Sequence, residues 1–305
     1  MRLIESVIQA LSSEYASYGK ISVACISTTN PVYLVFRDGY SKPELVVRRA
    51  DSRDVIDAHE ITEKIYGVVG DLVPEPVAVV SVDGLDFAVQ KGVAGLPWFQ
   101  ISGEYSSEVE WAKLRSRAIN ALNELHSGSA RVAGWSGKCE PGQVLRESLR
   151  KFLTTGTIVS TENISYIEKA AAVLDGIGEI ESYPQHGDFC LNNLIVNDKK
   201  MHVIDFEDFG ITQLPLYDEF TLALSLAEQA GANVNTSIAR EIAECTQDKA
   251  ETIGIDREMI PALLLCHLLI RLGEWSLGDS RKEYRQKLMH LFEDLISMPK
   301  KFFEQ

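Results

Sequence analysis

Two short strings, His186-Gly187-Asp188-Phe189-Cys190-Leu191-Asn192-Asn193 and Asp205-Phe206-Glu207-Asp208, bring carboxylates and an amide to the two ends of one segment. Between them, Leu194-Ile195-Val196 and His202-Val203-Ile204 are apolar runs joined across the polar turn Asn197-Asp198-Lys199-Lys200, the pattern of a β-hairpin. The strands of a hairpin run antiparallel, so Asn193 at its entrance and Asp205 at its exit come to the same end and can reach one cation. An amide oxygen and a carboxylate are hard ligands suited to Mg²⁺, which keeps part of its shell for phosphate and water. Asp188, five residues before Asn193, falls on the preceding loop, beside that ion, where it can accept or orient the proton of an attacking hydroxyl. Phosphoryl transfer asks for little more, because its catalysis is mainly positioning and charge neutralisation.

The first string resembles the kinase catalytic loop, with His-Gly-Asp where protein kinases carry His-Arg-Asp, and Asp205-Phe206-Glu207 resembles their Asp-Phe-Gly. The Gly form followed by Asp-Phe-Glu is similar to the aminoglycoside phosphotransferase family and its choline kinase relatives. That resemblance implies ATP and Mg²⁺ as cofactors, Asp188 as the catalytic base, and Asn193 and Asp205 as the metal ligands. A plain turn and a solvated acidic loop would explain either motif alone, but not both in order around a hairpin. His186 is assigned a structural role, hydrogen-bonding the loop backbone. Glu207 either touches a second metal position or faces solvent.

The resemblance extends upstream. Arg48, in Leu45-Val46-Val47-Arg48-Arg49, stands where kinases carry the phosphate-binding strand lysine, and Glu60 on the following helix is placed to pair with it. Arginine can grip phosphate oxygens bidentately, although it differs from lysine in reach and geometry. The loop Ser27–Pro31 resembles the Ser/Thr-Asn nucleotide loop of the family, which makes Thr29 and Asn30 phosphate contacts; it contains no glycine. The stretch from Gln90 to Gly95 resembles the hinge, where adenine would meet backbone groups of Lys91 and Val93. An exposed basic edge strand, a polar hairpin and a plain linker are the competing readings of these three segments. Asp218 matches an Asp that opens the helix after the metal motif, as an N-terminal cap or a brace for the catalytic loop. In this family the helical lobe grips the acceptor, so Asp208, Glu219, Glu274 and Trp275 are candidates for the pocket wall. An acidic wall would suit an aminoglycoside, and an aromatic cage a quaternary ammonium. Sugars and amino alcohols stay open, because fold and motif do not fix substrate.

The elements that must position these groups follow from periodicity. Leu3, Ile4, Val7, Ile8 and Leu11 give the first 20 residues the pattern of an amphipathic helix, not a signal peptide. Ile21–Ile26, Val32–Phe36, Glu44–Arg49 and Leu85–Gln90 read as strands, and 52–69 as a helix ended by Gly70. From Ser107 onward helices dominate: a stripe of Leu114, Ala118, Leu122 and Leu125, then segments near 143–152, 164–174, 217–229, 236–252, 259–275 and 282–303. The expectation is an α+β, protein-kinase-like two-lobed fold, with a small β-rich nucleotide-binding N-lobe over residues 1–92 and a larger helical catalytic and substrate-binding C-lobe over 93–305.

Composition removes other classes. A formal net charge of −14 argues against non-specific nucleic-acid binding, which needs lysine and arginine on phosphates. The longest apolar run, Pro261–Ile270, contains His267 and is too short to span a bilayer. Five widely spaced cysteines without a CxxC pair look like reduced thiols of a cytoplasmic protein. A protein kinase needs a long peptide-docking segment after the metal aspartate, whereas about a dozen residues separate Asp205 from Tyr217, so a small-molecule acceptor is favoured. No GxSxG elbow supports a hydrolase. The remaining alternative is a catalytically inactive kinase-like scaffold, supported by Arg48 and the glycine-free loop and opposed by the presence of Asp188, Asn193 and Asp205.

Overall fold

The computed structural model describes residues 2–11, 15, 20–27, 31–50, 53–278 and 281–298. Packing divides the chain into two compact units, Met1–Ala133 with His186–Ile211, and Gly134–Gln185 with Thr212–Gln305. This grouping differs from a division at residue 92, because the chain returns to the first unit at His186 and lays residues 186–211, with their hairpin, against elements from the first 133 residues.

In the first unit, α1 (Arg2–Ala10), β1 (Ile21–Ser27), β2 (Val32–Arg37), β3 (Leu45–Ala50), α2 (Arg53–Val69), β4 (Pro76–Val82) and β5 (Leu85–Lys91) follow in order. The strands form one antiparallel sheet ordered β1-β2-β3-β5-β4. Side chains alternate across a strand, and β3 uses the alternation fully. Leu45 and Val47 are fully buried with Val35, Phe87 and Val89 beneath Ile4, Val7, Ile8 and Leu11 of the first helix and its end. Val46 and Arg48 therefore face the opposite side. Gly70 adopts φ +58 and stops α2 where the pattern predicts. β4 is a further strand, carried by the valine-rich run Val77, Val79, Val80 and Val82. Pro76 is its first residue and it lies at the sheet edge, the two places where a strand tolerates proline.

β6 (Leu96–Pro97) leaves the sheet and pairs with β7 (Leu194–Val196), which pairs in turn with β8 (Met201–Val203). The predicted hairpin is thus present, one residue earlier on its return strand, and extended by a third strand from the segment after β5. Gly95 has φ +136, and a β-carbon there would collide with the Val196 carbonyl. The helix α3 (Glu108–Ser129) starts on Ser107, whose Oγ accepts the Glu110 N–H at 3.3 Å and donates to Glu110 Oε2 at 2.9 Å. Its stripe of Leu114, Ala118, Leu122 and Leu125 is buried as expected. Gly128 lets α3 approach Val69 of α2, with no room for a β-carbon.

The second unit is helical: α4 (Pro141–Thr154), α5 (Thr161–Asp175), α6 (Tyr217–Gln229), α7 (Ile238–Thr252), α8 (Ile260–Leu272) and α9 (Lys282–Ser297), with a small ribbon of Gly137–Cys139 and Ile180–Ser182. The apolar run of α8 is buried, and no helix among the described residues is long and apolar enough to cross a membrane. Asp218 is not the cap of α6. That position is held by Leu216 at φ +67, and Asp218 lies fully buried in the first turn.

Because Ile4 is only 2% exposed beneath the sheet, Ile4→Ala should cost about 2–4 kcal/mol through the cavity it opens. Urea unfolding should show a lower midpoint with an unchanged slope.

Candidate active site

Gly187 sets the loop that carries Asp188. It adopts φ +86, and a β-carbon there would lie far inside van der Waals contact with the Asp208 carbonyl oxygen. Only glycine meets both conditions, so the loop and the segment after β8 approach at backbone contact. His186, fully buried, anchors the same place. Its Nε2 lies 3.2 Å from the Ile204 carbonyl, its Nδ1 accepts the Asp188 N–H at 3.3 Å, and its ring lies 4.7 Å from that of Phe206. That pattern calls for the tautomer protonated on Nε2 and gives His186 the structural role expected of it.

Asn193 joins the two halves. Its Nδ2 donates to the Asp188 carbonyl at 2.8 Å and to Asp188 Oδ2 at 3.0 Å, while the Cys190 thiol lies 4.0 Å from the same Oδ2. With its nitrogen directed at Asp188, Asn193 presents Oδ1 as an oxygen donor on the other side of the amide plane. The Ile204 N–H donates to the Asn193 carbonyl at 3.0 Å, continuing the Val203–Leu194 register to the base of the hairpin. The next residue is Asp205, with φ +69, a conformation that costs a non-glycine residue of order 1–3 kcal/mol and that aspartate tolerates better than most. The hairpin thus delivers Asn193 and Asp205 to one end, with Asp188 bonded to the first of them.

Arg48 reaches this end from β3. Its Nη1 lies 3.1 Å from Asp205 Oδ1 and its Nη2 2.5 Å from Glu207 Oε1, with the three side chains 26%, 38% and 30% exposed. The expected pairing of Arg48 with Glu60 is not present. α2 buries Val55, Ala58, His59, Thr62, Ile65 and Val69, a face that leaves Glu60 exposed to solvent. Burial pushes the Glu207 carboxyl above its ordinary range; Arg48 opposes this, and Asp205, Asp208 and Asp54 add to it. Glu207 is solvent-exposed as a residue, and its carboxylate is engaged by Arg48.

A magnesium ion fits this donor set. Asn193 Oδ1 and the Asp205 carboxylate are hard oxygens. Among the described residues no group of three or more His, Cys, Asp or Glu is placed to hold a metal ion.

The register also defines what lies on the Arg48 face of the sheet. Leu34 pairs with Val46 and Val46 with Gln90, while Val32 pairs with Arg48 and Arg48 with Ala88. A half-buried apolar surface of Val32, Leu34 and Val46 thus continues into Gln90 on the same face as the Arg48 guanidinium. Strand alternation could have revealed Leu34 and Val46 from sequence. At the end of β5, the Lys91 N–H is held by the Glu75 carbonyl at 2.8 Å and the Gly92 N–H by the Glu44 carbonyl at 2.9 Å. Val93 is half-buried just beyond. The hairpin turn is tied to this segment: Asn197 Nδ2 donates to the Ala94 carbonyl at 2.8 Å, and Arg117 donates to the Asn197 and Lys200 carbonyls.

The other expected site residues are taken in turn. Thr29 and Asn30 lie outside the described residues, as does the Glu274 side chain. Asp208 is half-buried and forms the backbone wall over Gly187. Glu219 and Trp275 belong to the second unit. Glu219 is buried in the first turn of α6. Trp275 is in contact with the guanidinium groups of Arg271 and Arg281, whose central carbons lie 4.2 and 3.8 Å from the ring centroid. Two cations already occupy its π-surface, so it is poorly disposed to cage a third.

Comparison with known proteins agrees with this geometry. The sequence profile described as "Phosphotransferase enzyme family" matches residues 27–250. Similar solved structures include a choline/ethanolamine kinase family protein from Mesorhizobium loti, at 17% identity over 98% of this chain and 95% of that one, with a TM-score of 0.59. A putative fructosamine-3-kinase from Thermobifida fusca has 17% identity over 96% and 99%, with a TM-score of 0.57. A glucosamine kinase in complex with glucosamine, ADP and inorganic phosphate has 13% identity over 92% and 81%, with a TM-score of 0.61. At these identities the likeness establishes the protein-kinase-like fold, a β-sheet lobe with a helical lobe. No curated protein sequence matches the chain.

Gly187→Ala should destabilise the protein by about 3 kcal/mol or more, combining a left-handed backbone with a clash against backbone rather than a flexible side chain. Urea unfolding of the variant beside Gly84→Ala, which has φ +76 but open space around it, checks this. The Gly84 variant should lose distinctly less.

Proposed function

Since the chain belongs to the phosphotransferase enzyme family, we propose that it moves the γ-phosphoryl group of ATP to a hydroxyl of a small molecule. The observation that carries this reading is Asn193, whose amide bonds the Asp188 carboxylate while its backbone continues the ladder to Asp205. ADP bound to a glucosamine kinase and to an aminoglycoside phosphotransferase of similar fold supports ATP as the donor.

Asn193 and Asp205 would hold Mg²⁺, which when bound supplies positive charge to the phosphate oxygens. Asp188, held by Asn193 and by the backbone around His186, orients the acceptor hydroxyl and takes its proton as the bond to phosphorus forms. Arg48 binds phosphate oxygens through its planar fork. The base lies on Val32, Leu34 and Val46, beside Gln90. With the Lys91 and Gly92 N–H groups already bonded, the adenine edge is met by the Lys91 carbonyl and the Val93 N–H. On this reading residues 1–92 serve the nucleotide and 93–305 supply the catalytic residues and the acceptor site.

The short stretch from Asp205 to Tyr217 favours a small acceptor over a protein. Aminoglycosides, amino alcohols and sugars fit the range of acceptors named for structures of the same fold, which include hygromycin B and glucosamine. The five cysteines are all free thiols, which suits a cytoplasmic setting.

A screen of ATP consumption over amino alcohols, sugars and aminoglycosides should find at least one acceptor. A flat response throughout would favour a non-catalytic nucleotide binder. With that acceptor, Asp188→Ala should lower turnover by roughly 10²–10⁴-fold and leave ADP affinity within about twofold by calorimetry. Unchanged turnover would remove Asp188 from the role. Asp205→Ala should weaken nucleotide binding in the presence of Mg²⁺, and an equal Mg²⁺-dependent affinity would remove Asp205 from the metal site.

A further inference from the structure

We infer that Glu207 is the carboxylate that positions Arg48 for nucleotide phosphates, so that the phosphate-binding cation is held by the metal-binding loop and not by helix α2. The inference rests on the phosphotransferase reading of this site and deepens it.

Arg48 stands in the middle of β3 on the face opposite α1 and has two terminal nitrogens, each with its own acid. Nη1 is directed at Asp205 and Nη2 at Glu207. These two demands differ in kind. A cation bound to Asp205 would draw that carboxylate away from Arg48 or share it, whereas the 2.5 Å contact to Glu207 uses a different nitrogen and a different acid. Glu207 is therefore the group able to keep the guanidinium in place when Asp205 is engaged elsewhere. The left-handed turn at Asp205 is what brings both acids to the same guanidinium from positions two residues apart.

Charge in the surroundings favours the same assignment. Asp205, Asp208 and Asp54 all act on Glu207 as like charges, and Arg48 is the cation that opposes them. An acid in such company gains from an arginine that binds it directly. The helix carboxylate at Glu60 is exposed, and its neighbour on the buried side of α2 is His59. Among the described residues Arg48 has ion pairs with Asp205 and Glu207 only.

The test is a double-mutant cycle in the full chain with Arg48→Gln, Glu207→Gln, the double variant, and Glu60→Gln as the contrast. ADP affinity is measured by calorimetry in EDTA and again in excess Mg²⁺, and urea unfolding is measured without nucleotide. Glu207→Gln should weaken metal-free ADP binding by roughly five- to tenfold. The double variant should bind no more weakly than Arg48→Gln alone, and Glu60→Gln should match the wild type. Retained metal-free affinity in Glu207→Gln, with loss confined to Mg²⁺ and effects that add to those of Arg48→Gln, would make Glu207 a metal ligand and overturn the inference. Additive urea effects of the two substitutions would also overturn it, because they would show no coupling between the side chains. If the wild type bound no ADP while the urea cycle showed coupling, the phosphate role would be lost with the phosphotransferase reading, and the pairing alone would stand.

Discussion

The antiparallel ladder between β7 and β8 is the constraint from which the rest of the site follows. Three residues on each side fix which end of the hairpin holds Asn193 and Asp205, and the bond from the Ile204 N–H to the Asn193 carbonyl carries the pairing one step past the strands. Without that step Asp205 would be an acid in a loop. With it, an amide and a carboxylate separated by twelve positions in the chain share one end of a rigid element. Gly187 and His186 then bring the catalytic string against the same end, one by backbone contact with Asp208 and the other by two hydrogen bonds to main chain.

Much of this was legible in the residues because it depends on local pattern. Two short apolar runs around a four-residue polar turn specify a hairpin, and a hairpin specifies which flanking residues become neighbours. The stripe in α3 and the amphipathic pattern of α1 were readable for the same reason, as was the glycine that ends α2. What escaped depends on contacts between elements distant in sequence. Which acid meets Arg48 is decided by the rotation of α2 about its axis, and that rotation follows from burying Val55, Ala58, Thr62 and Ile65. No feature of Glu60 itself reports that it faces outward. β4, by contrast, carries a readable signal in Val77, Val79, Val80 and Val82, and Pro76 does not interrupt it because it is the first residue of an edge strand. The cap of α6 sits on a leucine with a left-handed backbone, which residue type alone would not suggest.

Charge also gathers unevenly in this site. Asp54, Asp205 and Asp208 all act on Glu207 as like charges, and Arg48 is the cation paired with Asp205 and Glu207. Such an excess of negative charge suits a place that receives a divalent cation, because the ion relieves repulsion already built into the fold. It also explains why an arginine is well placed in this strand. Its planar fork serves two acids at once, whereas the single ammonium of a lysine would present one point charge.

The link between the hairpin and the segment after β5 has a mechanical consequence. β6 pairs with β7, Gly95 lies against the Val196 carbonyl, and Asn197 bonds the Ala94 carbonyl. The stretch that would receive the purine and the stretch that would grip the metal are thereby splinted into a single body. Thermal motion would then carry both ends of a bound nucleotide together, keeping its triphosphate in register with its base while other parts of the molecule breathe.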